Sequence, residues 1–160
     1  MKGKVFSINI SEKKRTVKKP IEEGYCKQDY GFVGDAHSGN WHKQVSLISW
    51  ENIEKQNAIS KEWSFKPGDF AENITTKDVN LKELNIGDEI KIGKEVRLVV
   101  TQIGKECHDY CEIYKRFGSC IMPKEGIFTK VLKGGKIRAG DVIRVNPIRY
   151  LSKGIKKNEN

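Results

Sequence analysis

The sequence predicts a mainly β domain with a few short helices, arranged as a barrel or a sandwich. Residues 4–10 alternate apolar and polar side chains, which is the period-two pattern of a half-buried strand. Beyond Leu81, short apolar runs alternate with glycines and lead into the continuous apolar run 96–103. Short strands joined by tight turns in this way are typical of all-β folds.

The length of 160 residues fits one domain with one core. We expect the domain to cover residues 1–147 and a polar, basic tail to cover 148–160. No apolar run approaches the ~20 residues that span a bilayer, and the first residues do not resemble a signal peptide. We therefore expect a cytoplasmic protein without a membrane partner, whose four cysteines are free thiols or ligands rather than disulfides.

The net charge of +9 comes from 30 Lys and Arg against 21 Asp and Glu. Much of the excess lies near the two ends of the chain, in residues 13–19 and 153–157, without interleaved aromatic side chains. This distribution favours solvated ends over a nucleic-acid partner. The remaining central cations are available for an anionic ligand.

The first half of the chain contains a glycine-rich loop between two predicted strands. After an exposed basic connection closed by Pro20, residues 30–39 place three glycines around Asp35 and His37. Such a loop lets backbone amides approach a ligand, although a simple turn with an Asx bond from Asp35 has the same composition. A strand over 41–49 follows, and Ser49 is positioned to cap a helix that reaches about residue 57.

The next segments alternate between turns, strands and short helices. A turn at 66–70 leads into a strand over 71–76, where Glu72 and Asn73 either point inward with a partner or decorate an exposed face. Residues 111–117 predict one or two helical turns that end at Gly118, and residues 123–132 predict another short helix. A turn and a closing strand are expected over 137–145.

Cys107 follows the apolar strand 96–103, at the point where a strand gives way to a turn or helix. Lys105, His108 and the positive end of a helix starting just after the cysteine would favour its thiolate form. Cys107 is therefore the candidate reactive or metal-binding sulfur. Cys26, remote in sequence, is interpreted as a buried apolar residue.

Two alternatives use the neighbouring side chains. Cys107, His108, Cys111 and Cys120 have the ligand types of a structural zinc site, although paired Cys-x2-Cys knuckles are absent. Cys111 is also placed to resolve an oxidised Cys107, which would make the two a redox pair.

Three segments resemble motifs of the MOSC domain; they are residues 34–39, 43–47 and 68–74. They occur in this order before the strand that leads to Cys107. This family is named for the C-terminal part of molybdenum cofactor sulfurases, which are related to pyridoxal phosphate-dependent enzymes. The likeness runs from about residue 2 to 145, as in a stand-alone bacterial member. It implies a β-barrel like that of pyruvate kinase, which binds the molybdenum or tungsten pterin cofactor, carries sulfur for it, or both.

The resemblance also implies partners and roles. A cysteine desulfurase or a molybdoenzyme would be the protein partner, and an enzymatic member would transfer sulfur or reduce N-hydroxylated compounds. Cys107 would bind the metal or carry a persulfide, while Glu72 or His37 moves protons or positions the pterin. The expected cofactor-binding residues are Gly34, Asp35, His37, Lys43, Gln44, Glu72, Asn73, Thr75, Lys105 and Cys107.

The chain departs from the family pattern in three places. Lys43 stands where many members have arginine, so a point charge replaces a planar fork. Ala71 stands where glycine is common. Cys111 and Cys120 are additional cysteines beside Cys107.

Overall fold

The structure is a computed structural model that describes residues 1–107 and 111–146. The strands are β1 Lys2–Ile10, β2 Lys19–Ile21, β3 Glu23–Lys27, β4 Gly31–Phe32, β5 Val45–Ser49, β6 Ile74–Lys77, β7 Glu89–Ile92, β8 Val96–Ile103, β9 Ile127–Lys133, β10 Gly135–Arg138 and β11 Val142–Asn146. The helices are α1 Trp50–Ile59, α2 Glu112–Phe117 and α3 Met122–Glu125, and a 3-10 turn covers Leu81–Glu83.

Seven strands close into a barrel in the order β11, β7, β8, β9, β5, β6 and β1, and β1 pairs again with β11. Only β5 and β6 run parallel among these pairs, since α1 and the following turn carry the chain between them. Strand β2 pairs with the far end of β1. A small sheet of β10, β3 and β4 stands beside the barrel. The prediction of a mainly β barrel with a few short helices is confirmed.

Two apolar clusters lie on opposite sides of β5. Leu47 packs into the barrel interior, where β8 contributes alternate residues such as Leu98. Ile48 points the other way, into a cluster formed by side chains from α1, α2 and the segment between α1 and β6. Because both faces of β5 are covered, all five of its residues are buried. The second cluster holds α2 against the outside of the barrel.

The predicted helix boundaries at α1 and α2 are confirmed within two residues. Ser49 precedes α1, and its Oγ accepts a hydrogen bond from the amide of Asn52 at 3.2 Å. Helix α2 ends at Gly118, whose φ of 74° places it in the left-handed region that favours glycine. Cys26 is fully buried, as expected.

The helix predicted over 123–132 is wrong. Helix α3 is a single turn that ends before Gly126, and residues 127–133 form β9. β9 pairs with β8 on one side and β5 on the other, so closing the barrel outweighs the helical spacing of its apolar residues. Strand β6 also begins at Ile74, later than predicted, which leaves Glu72 and Asn73 in the irregular segment before it.

Within the described ranges, no helix combines the length and the apolar character needed to cross a membrane. The predicted domain boundary at 147 and the basic tail 148–160 lie outside the described residues, as does His108.

Candidate functional site

A cavity of about 490 Å³ lies between the glycine-rich loop and α2, and residues from both sides of Cys107 line it. Its volume falls within the range of small-molecule sites. The lining residues are Arg15, His37, Lys43, Ser46, Phe70, Ala71, Lys105, Glu106, Cys107, Cys111, Ile113, Tyr114, Cys120, Met122, Pro123 and Phe128.

Three cysteines line this cavity: Cys107, Cys111 and Cys120. Cys107 is exposed and the other two are partly buried. The segment before Cys107 is anchored to the α3 turn, because the amide of Lys105 donates to the carbonyl of Pro123 at 3.0 Å. Burial raises the pKa of Cys120 to about 11, so this thiol is protonated at neutral pH.

The helix start predicted just after Cys107 falls on residues 108–110, which lie outside the described ranges. The first described helix beyond them, α2, begins at Glu112, and Cys111 occupies the position before it. Lys105, two residues before Cys107, lines the same cavity.

The cavity is lined by both cationic and apolar side chains. Its cations are Arg15, Lys43 and Lys105, and Lys43 Nζ is 5.2 Å from the ring centroid of Phe128. Four buried side chains of the second apolar cluster form an apolar wall; they are Phe70, Ile113, Met122 and Phe128. The arrangement suits an anionic ligand that also has a flat or apolar part.

His37 lies on the cavity wall above a buried ion pair. Asp35 and Lys18 have side chains with no exposed surface, and Lys18 Nζ is 2.7 Å from Asp35 Oδ1. The burial of Lys18 corrects the prediction that the whole basic segment is exposed. Burial lowers the pKa of Lys18, and the Asp35 carboxylate opposes that effect. Burial, followed by the charge of Lys18, lowers the pKa of His37 to about 4.

Two predicted site residues act as buried braces and do not line the cavity. Asn73 Oδ1 accepts the amide of Ser46 at 3.0 Å, and its Nδ2 donates to the carbonyl of Asn9 at 3.2 Å. Gln44 Oε1 accepts the amide of Val131 at 2.9 Å. Both side chains are fully buried. Their placement indicates that Asn73 supports the cavity through Ser46, while Gln44 ties β9 to the segment before β5.

Glu72 and Thr75 are also fully buried and outside the cavity lining. Glu72 Oε2 accepts a hydrogen bond from Thr75 Oγ1 at 2.8 Å, while Oε1 has no partner at hydrogen-bonding distance. Burial raises the pKa of Glu72 to about 7. Gly34 is exposed, with a φ of 90°, and does not line the cavity. Direct contact between a ligand and any of these three residues stays a prediction.

Ala71 lines the cavity with a φ of 65°. This left-handed conformation is strained for a residue with a Cβ, whereas glycine adopts it at no steric cost.

The described residues contain no group of three His, Cys, Asp or Glu side chains arranged to hold a metal ion. The zinc alternative needs His108, which lies outside the described ranges, so it has no complete ligand set within them.

Sequence reasoning missed two residues that line the cavity, Arg15 and Ser46, and one that lies beside it, Lys18. Arg15 and Lys18 belong to the basic segment 13–19, which was predicted to be exposed to solvent. Ser46 lies within an apolar strand. The only sequence signal for Ser46 was its place in the motif 43–47. Lys18 had no local signal, since its burial depends on a contact with Asp35 across the fold.

The MOSC domain model matches residues 34–144. Among solved structures, YuaD from Bacillus subtilis superposes with a TM-score of 0.73 at 20% identity, covering 91% of this chain and 96% of that one. YiiM from Escherichia coli gives 0.68 at 17% identity, covering 91% and 70%, and YiiM from Geobacillus stearothermophilus gives 0.68 at 19%, covering 90% and 75%. No curated protein matches the sequence. The family match spans most of the chain and contains the loop, strand and cysteine that build the cavity, and the chain belongs to the MOSC domain family.

Proposed function

We propose that the protein binds the pterin-based molybdenum or tungsten cofactor in this cavity, with Cys107 as the sulfur ligand or sulfur carrier. The observation that carries the proposal is the shared location of an exposed thiol and several cationic side chains around one cavity. A soft thiolate is a suitable ligand for such a metal, and cations suit the phosphate of the cofactor.

The donor set of the cavity fits this group. Lys43, Lys105 and Arg15 would hold its anionic parts, and the apolar wall that contains Phe70 and Phe128 would pack against the pterin. When bound, the cofactor would supply a redox-active metal oxide centre. The chain itself would orient the ligand, and the apolar wall would exclude water from one side of it.

The sulfur-carrier form of the proposal uses Cys107 alone. Its thiolate attacks the outer sulfur of a persulfide on a cysteine desulfurase, the sulfur–sulfur bond of the donor breaks, and the donor leaves as a thiolate. Cys107 then holds a persulfide whose outer sulfur is available to the cofactor. The exposure of Cys107 supports access by a partner of this kind, and both partner and cofactor would meet the protein in the cytoplasm.

Replacing Cys107 by Ser tests both forms. We expect wild-type protein purified without oxygen to contain molybdenum or tungsten with pterin, or to show a persulfide on Cys107 by mass spectrometry. The C107S variant should lose both while keeping its circular dichroism spectrum, because an exposed thiol contributes little to packing.

The matched controls are Cys111→Ser and Cys120→Ser, which change thiols on the same cavity wall. Retention of metal and persulfide in C107S would remove Cys107 from the function. Loss in all three variants would indicate a shared thiol site instead. Zinc in place of molybdenum or tungsten in the elemental analysis would favour the structural alternative.

A redox pair is a second candidate, favoured by the presence of Cys107 and Cys111 on one cavity. A peroxide would oxidise the Cys107 thiolate to a sulfenic acid, and the Cys111 thiol would displace water to form a disulfide. Peptide mapping without reductant, before and after peroxide treatment, would show this bond or its absence.

A further inference from the structure

Lys18 is held deep beside the cavity by backbone contacts as well as by charge. Its amide donates to the carbonyl of Gly68 at 2.8 Å. A Cβ added at Gly68 would lie 2.2 Å from the carbonyl oxygen of Lys18, so the two backbones touch. The lysine side chain therefore enters the interior from a fixed position, although the lysines before and after it are exposed.

Every hydrogen-bond donor of the Lys18 ammonium has an acceptor. Nζ lies 2.7 Å from Asp35 Oδ1, 3.0 Å from Ser11 Oγ and 3.1 Å from His37 Nδ1. The Ser11 hydroxyl donates its proton to the carbonyl of Lys13, so Ser11 Oγ accepts the hydrogen bond from Lys18. An ammonium has three N–H bonds and no lone pair, so it can only donate in each contact.

Asp35 holds this cluster in place but does not bond to the imidazole. Its Oδ2 accepts the backbone amide of His37 at 3.0 Å, and the distance from Oδ2 to His37 Nδ1 is 4.0 Å. Asp35 Oδ1 accepts both Lys18 and the amide of Ser11. The ring nitrogen Nδ1 therefore has the lysine, and not the carboxylate, as its partner.

The protonation state of the ring follows from this geometry. Because Lys18 donates to Nδ1, that nitrogen is unprotonated, and the neutral ring carries its proton on Nε2. The backbone of His37 is also held, since Trp41 Nε1 donates to the His37 carbonyl at 2.7 Å, and the Trp41 ring lies nearly parallel to the imidazole at a centroid distance of 6.3 Å. The other cations near the ring, Lys14 and Lys105, disfavour a second proton.

We propose that Lys18 is a positioning residue that fixes His37 as a neutral Nε2–H donor at the cavity wall. In this state His37 is not a base, because Nε2 already holds the proton, and it becomes an acid only by giving up a neutral imidazole proton. Its role is to donate a hydrogen bond to an electron-rich oxygen of the ligand, next to Lys43 and Lys105. That ligand contact rests on the proposed function, whereas the tautomer is a property of the free protein.

The test is nitrogen-15 NMR of the histidine rings in the full-length, ligand-free protein. The chain has three histidines, and His37→Gln identifies the signals of His37 by their loss. We expect two-bond proton–nitrogen correlations of the Nε2–H tautomer that persist as the pH falls to about 5. An Nδ1–H pattern, or a ring that titrates near pH 6.5, would overturn the proposal.

The Lys18→Met variant tests whether Lys18 determines the tautomer of His37. We expect its His37 ring to populate both tautomers and to become protonated at higher pH than in the wild type, while the exposed-site control Lys13→Met leaves the pattern unchanged. An unchanged tautomer in folded K18M would refute the role of Lys18. Should K18M fail to fold, the wild-type spectrum still decides whether Nδ1 is the acceptor. Failure to find cofactor in the protein would contradict the proposed function without affecting this result.

Discussion

The cavity thiols and Cys26 differ in burial, and this difference predicts their order of reaction with an alkylating reagent. Cys107 is exposed, whereas burial raises the pKa of Cys120 to about 11 and that of Cys26 to about 12. Since the thiolate is the reactive form, we expect N-ethylmaleimide to label Cys107 first, Cys120 slowly, and Cys26 only after denaturation. Peptide mass spectrometry over time measures the order. Labelling of Cys26 in native protein as fast as Cys107 would contradict the buried location.

Glu72 gives stability that depends on pH. Its pKa in the folded protein is about 7, above the ordinary value of 4.5, so the folded state binds the extra proton. The stabilisation is complete below pH 4.5 and is lost as the pH rises through 7, by roughly 3 kcal/mol in total. His37 acts in the opposite direction, since its lowered pKa costs stability as the pH falls from 6.5 towards 4.

Of the Glu72 and His37 effects on unfolding free energy, only that of Glu72 remains above pH 6.5, so the test is made above this pH. We expect Glu72→Gln to remove most of the decline in unfolding free energy between pH 6.5 and 8. Urea unfolding at several pH values measures it, with the exposed Glu12→Gln as control. A decline of equal steepness in E72Q would show that another group is responsible.

Ala71 is expected to be less favourable than glycine. Its φ of 65° costs about 1 kcal/mol for a residue with a Cβ, although glycine loses some of this gain in the unfolded chain. Ala71→Gly should therefore raise the free energy of unfolding by up to about 1 kcal/mol. Ala58→Gly, in an exposed turn of α1, should lower it by a similar amount. Thermal unfolding of both variants checks the opposite signs.

At the scale of the elements, those with local signals were predictable. The capping serine set the start of α1, Gly118 set the end of α2, and the apolar run 96–103 gave the exact bounds of β8. β9 was not predictable in this way, because Ile127 and Val131 have a spacing that fits a helix. Its two neighbours in the barrel decide its conformation, and neither is adjacent in the sequence.

The cap of α1 offers a test at this scale. Ser49→Ala removes the acceptor for the amide of Asn52, so we expect a loss of about 1 kcal/mol in unfolding free energy. Ser64→Ala, at an exposed position outside any helix or strand, should change it little. Equal stability of the two variants in guanidinium titrations would show that the cap hydrogen bond contributes little.

For the whole molecule, the sequence predicted the barrel and the region of the cavity. It did not predict which motif residues line the cavity and which are buried behind it. The motifs 34–39, 43–47 and 68–74 do come together around the cavity. Several of their polar side chains, however, are buried and hydrogen-bond to the backbone behind the cavity wall. Asn73 and Gln44 look like ligand-binding residues in a one-dimensional pattern. Whether a side chain faces the cavity or the interior depends on strand register and turn geometry, which local patterns do not encode.

The pairing of β1 with β11 joins residues 2–4 to residues 142–144. During synthesis, residues 2–4 of β1 cannot form this pairing until residues 142–144 have left the ribosome. Until that moment one edge of β1 has unpaired backbone amides and carbonyls, which can recruit a foreign strand. The nascent chain is thus exposed to aggregation at this edge for as long as it takes to synthesise the residues between the two strands.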